Sequence, residues 1–213
     1  MFTGLIQETG KIASLQKAGG KTRITVIATS IPAELKLGDS VAVSGVCLTA
    51  VKIDRHSFAC DLAEETLRRT SLGGLKKDSV VNLELPTQAD ARLGGHVVQG
   101  HVDGVGKLLG LEKIKGGEDW RLAIQMPEEL MRYVVPQGSI TIEGISLTVA
   151  KIDSKQIEVA IIPHTYQATN LHALKPGSPI NIEVDVLAKY AEKQAQKKQS
   201  LGLSIPELIG RGF

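Results

Sequence analysis

The stretch TRITVIA at 22–28 alternates polar and apolar positions, as does SITIE at 139–143, and a period of two marks a strand with one face buried. SVAVS (40–44), VCLTAVKI (46–53) and SFACDL (57–62) continue the series, punctuated by Gly38, Gly45 and Asp54. AEETLRRT (63–70) is the one helical turn this pattern supports in the first half, with EELMRYV (128–134) a second candidate further on. Short strands with turn signals every 8–12 residues or so predict small barrels, whose closure removes aggregation-prone edges. From Val186 the texture changes. VLAKYAEKQAQKKQS is rich in good helix formers, and Leu187, Tyr190, Ala191 and Gln194 share one weakly apolar face. This helix is either solvated and frayed or a subunit contact, because a lone helix of its length is marginal in water.

The pattern occurs twice. GVCLTAVKID at 45–54 matches GISLTVAKID at 144–153, and TLRRTSLGGLKKDSVVNLE at 66–84 matches TYQATNLHALKPGSPINIE at 165–183. Both pairs are displaced by 144 − 45 = 99 positions. The opening MFTGLIQETGKI matches VQGHVDGVGKL, with Gly4, Gly10 and Lys11 on Gly100, Gly106 and Lys107. Units of this length are duplicated domains, not the 20–50-residue units of a solenoid. The expected fold is all-β: two tandem, similar six-stranded antiparallel β-barrels, closed and Greek-key-like, with short helices and a C-terminal α-helix. The boundary falls near GGH at 94–96, dividing the chain into a barrel at 1–96, a barrel at 97–186, and a helix and tail at 187–213.

Composition narrows the function. A net charge of +2 and 3% aromatic residues argue against nucleic acid, which needs a basic face or a platform of stacking rings. No apolar run approaches a bilayer span, and the start lacks the basic-then-apolar pattern of a signal peptide, so a cytoplasmic protein with no membrane partner is expected. Cys47 and Cys60 suit a reducing compartment. A hairpin turning near Asp54–Arg55 sets Cys47 opposite about position 62, leaving Cys60 diagonal and beyond disulfide reach. Free thiols follow.

The MFTG start, SGVCLT at 44–49, GGHxxxGH at 94–101, GISLTV at 144–149 and IPxT at 162–165 together resemble the riboflavin synthase family, over essentially residues 1–186. The resemblance implies dismutation of two 6,7-dimethyl-8-ribityllumazine molecules by transfer of a four-carbon unit, with no metal, nucleotide or redox cofactor. It also implies a homotrimer assembled through the C-terminal helix, with association with lumazine synthase a further expectation. The active site is expected between the N-terminal barrel of one subunit and the C-terminal barrel of its neighbour. A rival reading is a non-catalytic lumazine- or flavin-binding antenna protein on the same scaffold.

Two identical substrates in opposite roles suggest looking where the repeats diverge. Cys47 becomes Ser146, Leu5 becomes His101 and Pro86 becomes Asp185, while Ser40 has no clear polar twin beside the alignment gap. Thiol and hydroxyl therefore fall to the N-terminal pocket, imidazole and carboxylate to the C-terminal one, as nucleophile and acid–base sets. The lumazine 7-methyl group is acidic because its conjugate base delocalises into the ring, and His101 is a suitable base. By resemblance, Phe2, Ser40, Cys47, His101, Ser146 and Asp185 form the catalytic set. The same resemblance puts substrate contacts at Gly4, Leu5 and Ile6; at Cys47, Leu48 and Thr49; and at Asp61, Leu62, Ala63, Glu64, Glu65 and Thr66. In the second half it puts them at Gly100, His101 and Val102; at Gln137; at Ser146, Leu147 and Thr148; and at Ile162, Pro163, His164, Thr165, Tyr166 and Gln167.

Thr49, Thr66, Thr148 and Thr165 can serve the ribityl hydroxyls or be ordinary strand residues. His96 and His101 lie five apart, not on one strand face, so no metal site is expected. His56, His164 and His172 read as loop or turn residues, and Lys52 and Lys151 as solvated strand positions. Val46 stands where the family commonly has a first cysteine, Gln137 where it sometimes has lysine, and Glu143 where it commonly has aspartate.

Overall fold

The structure, a computed structural model, describes residues 1–18 and 20–201. The first repeat forms β1 (Glu8–Ala18), β2 (Lys21–Ile27), β3 (Ser40–Val43), β4 (Val46–Asp54), β5 (Ser57–Leu62) and β6 (Val80–Glu84). The second forms β7 (Gly104–Lys113), β8 (Trp120–Gln125), β9 (Ser139–Ile142), β10 (Ile145–Asp153), β11 (Gln156–Ile161) and β12 (Pro179–Val184). Each set closes into an antiparallel barrel of the same order, β1-β2-β5-β4-β3-β6 and β7-β8-β11-β10-β9-β12. Bulges recur at matching places, after Ala50 in β4 and after Val149 in β10, so the duplication extends to local irregularity.

Alternation along the strands decides what faces the core. In β4, Val46, Leu48 and Ala50 point inward, while Cys47 and Thr49 point out. Ile24, Val26, Val41, Phe58 and Leu83 complete the first core; Leu122, Ile124, Ile142, Val149 and Ile182 anchor the second. Short helices cap one end of each barrel: α2 (Glu64–Arg69) in the first and α3 (Pro163–Ala168) in the second, each followed by a 3-10 turn. A further short helix, α1 (Ile31–Glu34), starts at Ile31–Pro32, Pro being tolerated in a first turn. Residues 128–133 form a 3-10 helix, and His164 and His172 sit in short helices instead of loops.

The barrels interlock about a local pseudo-twofold axis. Asn82 Nδ2 donates to the Glu143 carbonyl, and its twin Asn181 Nδ2 donates to the Ser44 carbonyl, both at 2.9 Å. Asn82 Oδ1 accepts the Asn170 N–H at 2.6 Å, and Asn181 Oδ1 accepts that of Ser71 at 2.7 Å. Such donors would be costly if buried unpaired, so the interface is specific in register. Glu143, fully buried beside this network, accepts from the Asn181 N–H and Asn170 Nδ2, and burial raises its carboxyl above the usual range. At the axis Gly45 and Gly144 meet backbone to backbone.

The C-terminal helix, α4 (Val186–Leu201), begins with Asp185 Oδ1 accepting the Leu187 N–H. Lys189 pairs with Asp103 at 2.6 Å and Glu192 with Arg132. Leu187 and Tyr190 are 66% and 63% exposed, so the weak apolar face is uncovered within one chain. Residues 202–213 of the expected oligomerisation unit lie outside the described residues. No helix among the described residues is long and apolar enough to cross a membrane.

Candidate functional site

Regular strand pairing starts only at Glu8. The first seven residues instead reach the second barrel, where Gly4 O accepts the Ser146 N–H at 2.8 Å. The matching segment of the second repeat reaches the first barrel, where Gly100 O accepts the Cys47 N–H at 2.9 Å. Both glycines have φ near +75°, at +75° and +78°, and a side chain on either would strike Ser146 or Cys47 at 2.6–2.7 Å. Ile6 packs on the second core and Val102 on the first. Between the crossing segments Phe2 and Val98 exchange backbone hydrogen bonds and are buried with Ala42, against Cys47. Burying a phenylalanine there stabilises the crossing by about 1.5–3 kcal/mol.

Two equivalent patches result on the outer faces of the barrels. In the first, Ser40 lies opposite Thr49 and Ala42 opposite Cys47, with Phe2 beneath and Gly100–His101 alongside. In the second, Ser139 lies opposite Thr148 and Thr141 opposite Ser146, with Gly4–Leu5 alongside. Ser139 is therefore the polar twin of Ser40, correcting the expectation that none exists. The grouping of chemistry is also corrected. The turn carrying His101 crosses over to the Cys47 strand, where Gly100 O accepts the Cys47 N–H, while Asp185 acts on His96 beside the Ser146 hydroxyl.

A residue the sequence reading passed over completes the second patch. His96 Nδ1 lies 2.7 Å from Ser146 Oγ, and its Nε2 lies 3.0 Å from Thr141 Oγ1. Burial lowers its pKa, with Asp185 opposing the shift, so the neutral ring couples the two hydroxyls as one donor and one acceptor. The GGH motif held the signal: Gly95 is pressed against the Thr3 carbonyl and Ser146, which leaves the next side chain over the strand. Asp185, half-buried, caps α4 as well as acting on His96.

Not every expected contact reaches a patch. Leu48 and Leu62 point into the first core, because alternation turns them away from Cys47, Thr49 and Asp61. Leu147 is partly buried against the second core. Asp61 holds Arg23 through two hydrogen bonds of 2.6 and 3.1 Å, and that guanidinium keeps its carboxyl below the usual range. Glu65 turns to Arg68 and Arg69 of its own helix. Asp61, Leu62, Ala63 and Glu64 line a cavity of about 350 Å³ with Thr22 and Leu67. By register, Trp120 and Tyr166 occupy those last two positions in the second barrel, and their rings stack at 3.9 Å. The two barrel ends thus differ in the room they offer. Thr66 and Thr165 give their carbonyls to Thr70 and Thr169 hydroxyls, while Pro163 starts α3, with His164 and Gln167 exposed on it and Ile162 exposed just before it. Gln137, at φ 62°, sits in the turn entering β9, its N–H on the Val149 carbonyl next to Thr148.

Both cysteines are free. The bulge pairs Cys60 with Ala50, so the thiols are not diagonal neighbours but lie on opposite faces of the sheet. Burial pushes the Cys60 thiol up to about 12, which makes it inert; Cys47 is the half-exposed one. Lys52 and Lys151 are solvated, beside Asp54 and Glu158.

The model of the lumazine binding domain matches residues 3–86 and again 99–185. The riboflavin synthase of Actinobacillus pleuropneumoniae is 46% identical over the full length of both chains. The chain belongs to the riboflavin synthase family. That of Bacillus subtilis is 40% identical over 89% of this chain and 87% of its own. Membership makes this riboflavin synthase homologue a transferase-type enzyme. Among solved structures, LumP complexed with 6,7-dimethyl-8-(1'-D-ribityl) lumazine superposes with a TM-score of 0.78 at 24% identity, covering 86% of this chain and 99% of that one. This likeness shows the shared fold.

Proposed function

We propose that the chain converts two molecules of 6,7-dimethyl-8-ribityllumazine into riboflavin and 5-amino-6-(D-ribitylamino)uracil, in the cytoplasm and without a cofactor. One lumazine gives up a four-carbon unit and the other receives it. The two products together contain every atom of the two substrates, so neither oxidant nor reductant is consumed. The observation that carries the reading is the pair of equivalent but chemically unequal patches, Ser40–Cys47–Thr49 and Ser139–Ser146–Thr148. A duplicated binding unit suits two identical ligands, and divergence between the copies suits opposite roles. Orienting both replaces a bimolecular encounter and contributes up to about 7–11 kcal/mol.

In this reading residues 1–96 and 97–186 each bind one lumazine. Three copies join through α4, where Leu187 and Tyr190 are uncovered, so that the first barrel of one subunit faces the second barrel of another; lumazine synthase is a candidate associate. His101 removes the acidic 7-methyl proton, and Cys47, Ser40, Ser146 and Asp185 are the groups available to polarise, protonate or add to the ring, with Phe2 supporting Cys47 from below. The threonines at 49, 66, 148 and 165 are the candidates for the ribityl hydroxyls.

The test is to incubate the purified protein with the lumazine alone and follow absorbance. Riboflavin formation without any addition is expected. A spectral shift with no riboflavin would instead mean an antenna-type binding protein, and a result of neither binding nor conversion would rule out a lumazine reaction.

A further inference from the structure

Each crossing segment is gripped by one buried glutamate. Glu84, at the end of β6, accepts from the Thr3 N–H at 2.7 Å, the Thr3 hydroxyl at 2.8 Å and the Gly4 N–H at 3.0 Å. Its twin Glu183, in β12, accepts from the N–H groups of Gln99 at 2.7 Å and of Gly100 and His101 at 2.9 Å. The grips differ at one point. In the first repeat the Thr3 hydroxyl also takes part, so the Leu5 N–H is shared between that hydroxyl, at 3.3 Å, and the Glu84 carboxylate. In the second, Gln99 replaces that threonine and the carboxylate holds the amide of His101 itself.

Neither glutamate reaches a patch, and a carboxyl in such a place needs a reason. Both are nearly fully buried, 4% and 2% exposed, and burial raises both pKa values against the backbone donors. A buried acid of this kind is rarely a net source of stability. What it supplies is direction: fixed acceptors that hold a turn of left-handed glycine in one conformation. The Gly100 carbonyl is thereby aimed at Cys47, and His101 starts from a backbone fixed at its own nitrogen.

We propose that Glu183 is a positioning residue for the reaction: by holding the 99–101 turn it sets the His101 imidazole beside Cys47, whereas Glu84 performs the equivalent hold on an inert leucine. The proposal rests on the reading of His101 as the proton-transfer group. It makes the duplicated NLE and NIE motifs structurally alike and kinetically unlike.

The test uses full-length Glu183→Gln and Glu84→Gln, each alone and with His101→Ala, assayed with 6,7-dimethyl-8-ribityllumazine. Glu183→Gln is expected to lower kcat by about 10- to 100-fold with little change in KM, and to add less than about threefold to the loss caused by His101→Ala, since coupled positions are not additive. Glu84→Gln is expected to act mainly on KM and to combine additively with His101→Ala. Additive losses for Glu183→Gln, or equal kcat losses in both glutamine variants, would reduce the two residues to structural supports and overturn the proposal. Should Glu183→Gln fail to fold, Glu183→Asp, which withdraws the carboxylate but keeps its charge, is expected to show the same coupling. A readout independent of turnover is the His101 ring resonance in the ligand-free protein. It is expected to shift in Glu183→Gln and not in Glu84→Gln. An unmoved resonance in Glu183→Gln overturns the latch even if wild-type protein makes no riboflavin, which separates this failure from that of the proposed reaction.

Discussion

His101→Ala is expected to lower riboflavin formation by about 10²-fold or more, the usual contribution of a positioned general acid or base. Lumazine affinity is expected to change by less than about threefold, under 1 kcal/mol. The reason lies in what the residue replaces. Its twin Leu5 occupies the same place after the same gripped glycine, so a side chain there is compatible with the fold without being an imidazole. His101 is exposed and Cys47 half-exposed, the residue before His101 giving its carbonyl to the Cys47 N–H, and no partner holds the His101 ring among the hydrogen bonds of the described residues. Measuring kcat from riboflavin absorbance and affinity by titration separates the roles. Unchanged turnover would remove His101 from proton transfer, and an equal loss in affinity would make it a binding residue.

The second large effect concerns stability. Gly45→Ala is expected to cost about 2–5 kcal/mol, combining a left-handed backbone penalty of about 1–2 kcal/mol with overpacking of about 1–3 kcal/mol. Gly45 has φ +80°, and an added Cβ would meet Gly144 N at 2.7 Å and Gly144 Cα at 3.0 Å. These are backbone atoms of the other barrel, which can withdraw only by loosening the paired asparagine contacts around the axis. Gly38→Ala is the control, because Gly38 has φ +91° with open space around its added carbon, and should show the backbone penalty alone. The comparison is made by denaturant unfolding at one pH. Equal costs in the two variants would mean that the barrel contact at the axis yields more easily than its geometry implies. Set against a domain stability of about 5–15 kcal/mol, the larger loss would be visible directly.

The barrels were legible in sequence because period-two patterning is written in side chains. TRITVIA, SVAVS and SFACDL became strands within a residue of the expected bounds, and the repeat announced the second barrel. The crossing of the two lead-in segments was not legible, because it is made by backbone groups: Gly4 O on the Ser146 N–H and Gly100 O on the Cys47 N–H. A glycine in a motif does not say which strand it faces. For the same reason sequence alone puts His101 with its own repeat. Glu84 and Glu183 stood in matched motifs, yet a glutamate at a strand end reads as a solvated charge until its burial is seen. The five-residue spacing of His96 and His101 speaks only to metal ligation, whereas the contacts of His96 depend on a glycine that brings the chain close to Ser146. Ser139 is matched to Ser40 by strand register, which a gap in the repeat hides in the sequence.

That each chain offers two unequal lumazine sites is tested most directly by ¹³C NMR of lumazine labelled at the 7-methyl group. His101→Ala protein is the host, so that slow turnover preserves the bound ligand. Two bound methyl resonances of different shift, reaching two ligands per chain at saturation, are expected. A single bound resonance at one ligand per chain would contradict the assignment of one lumazine to each barrel.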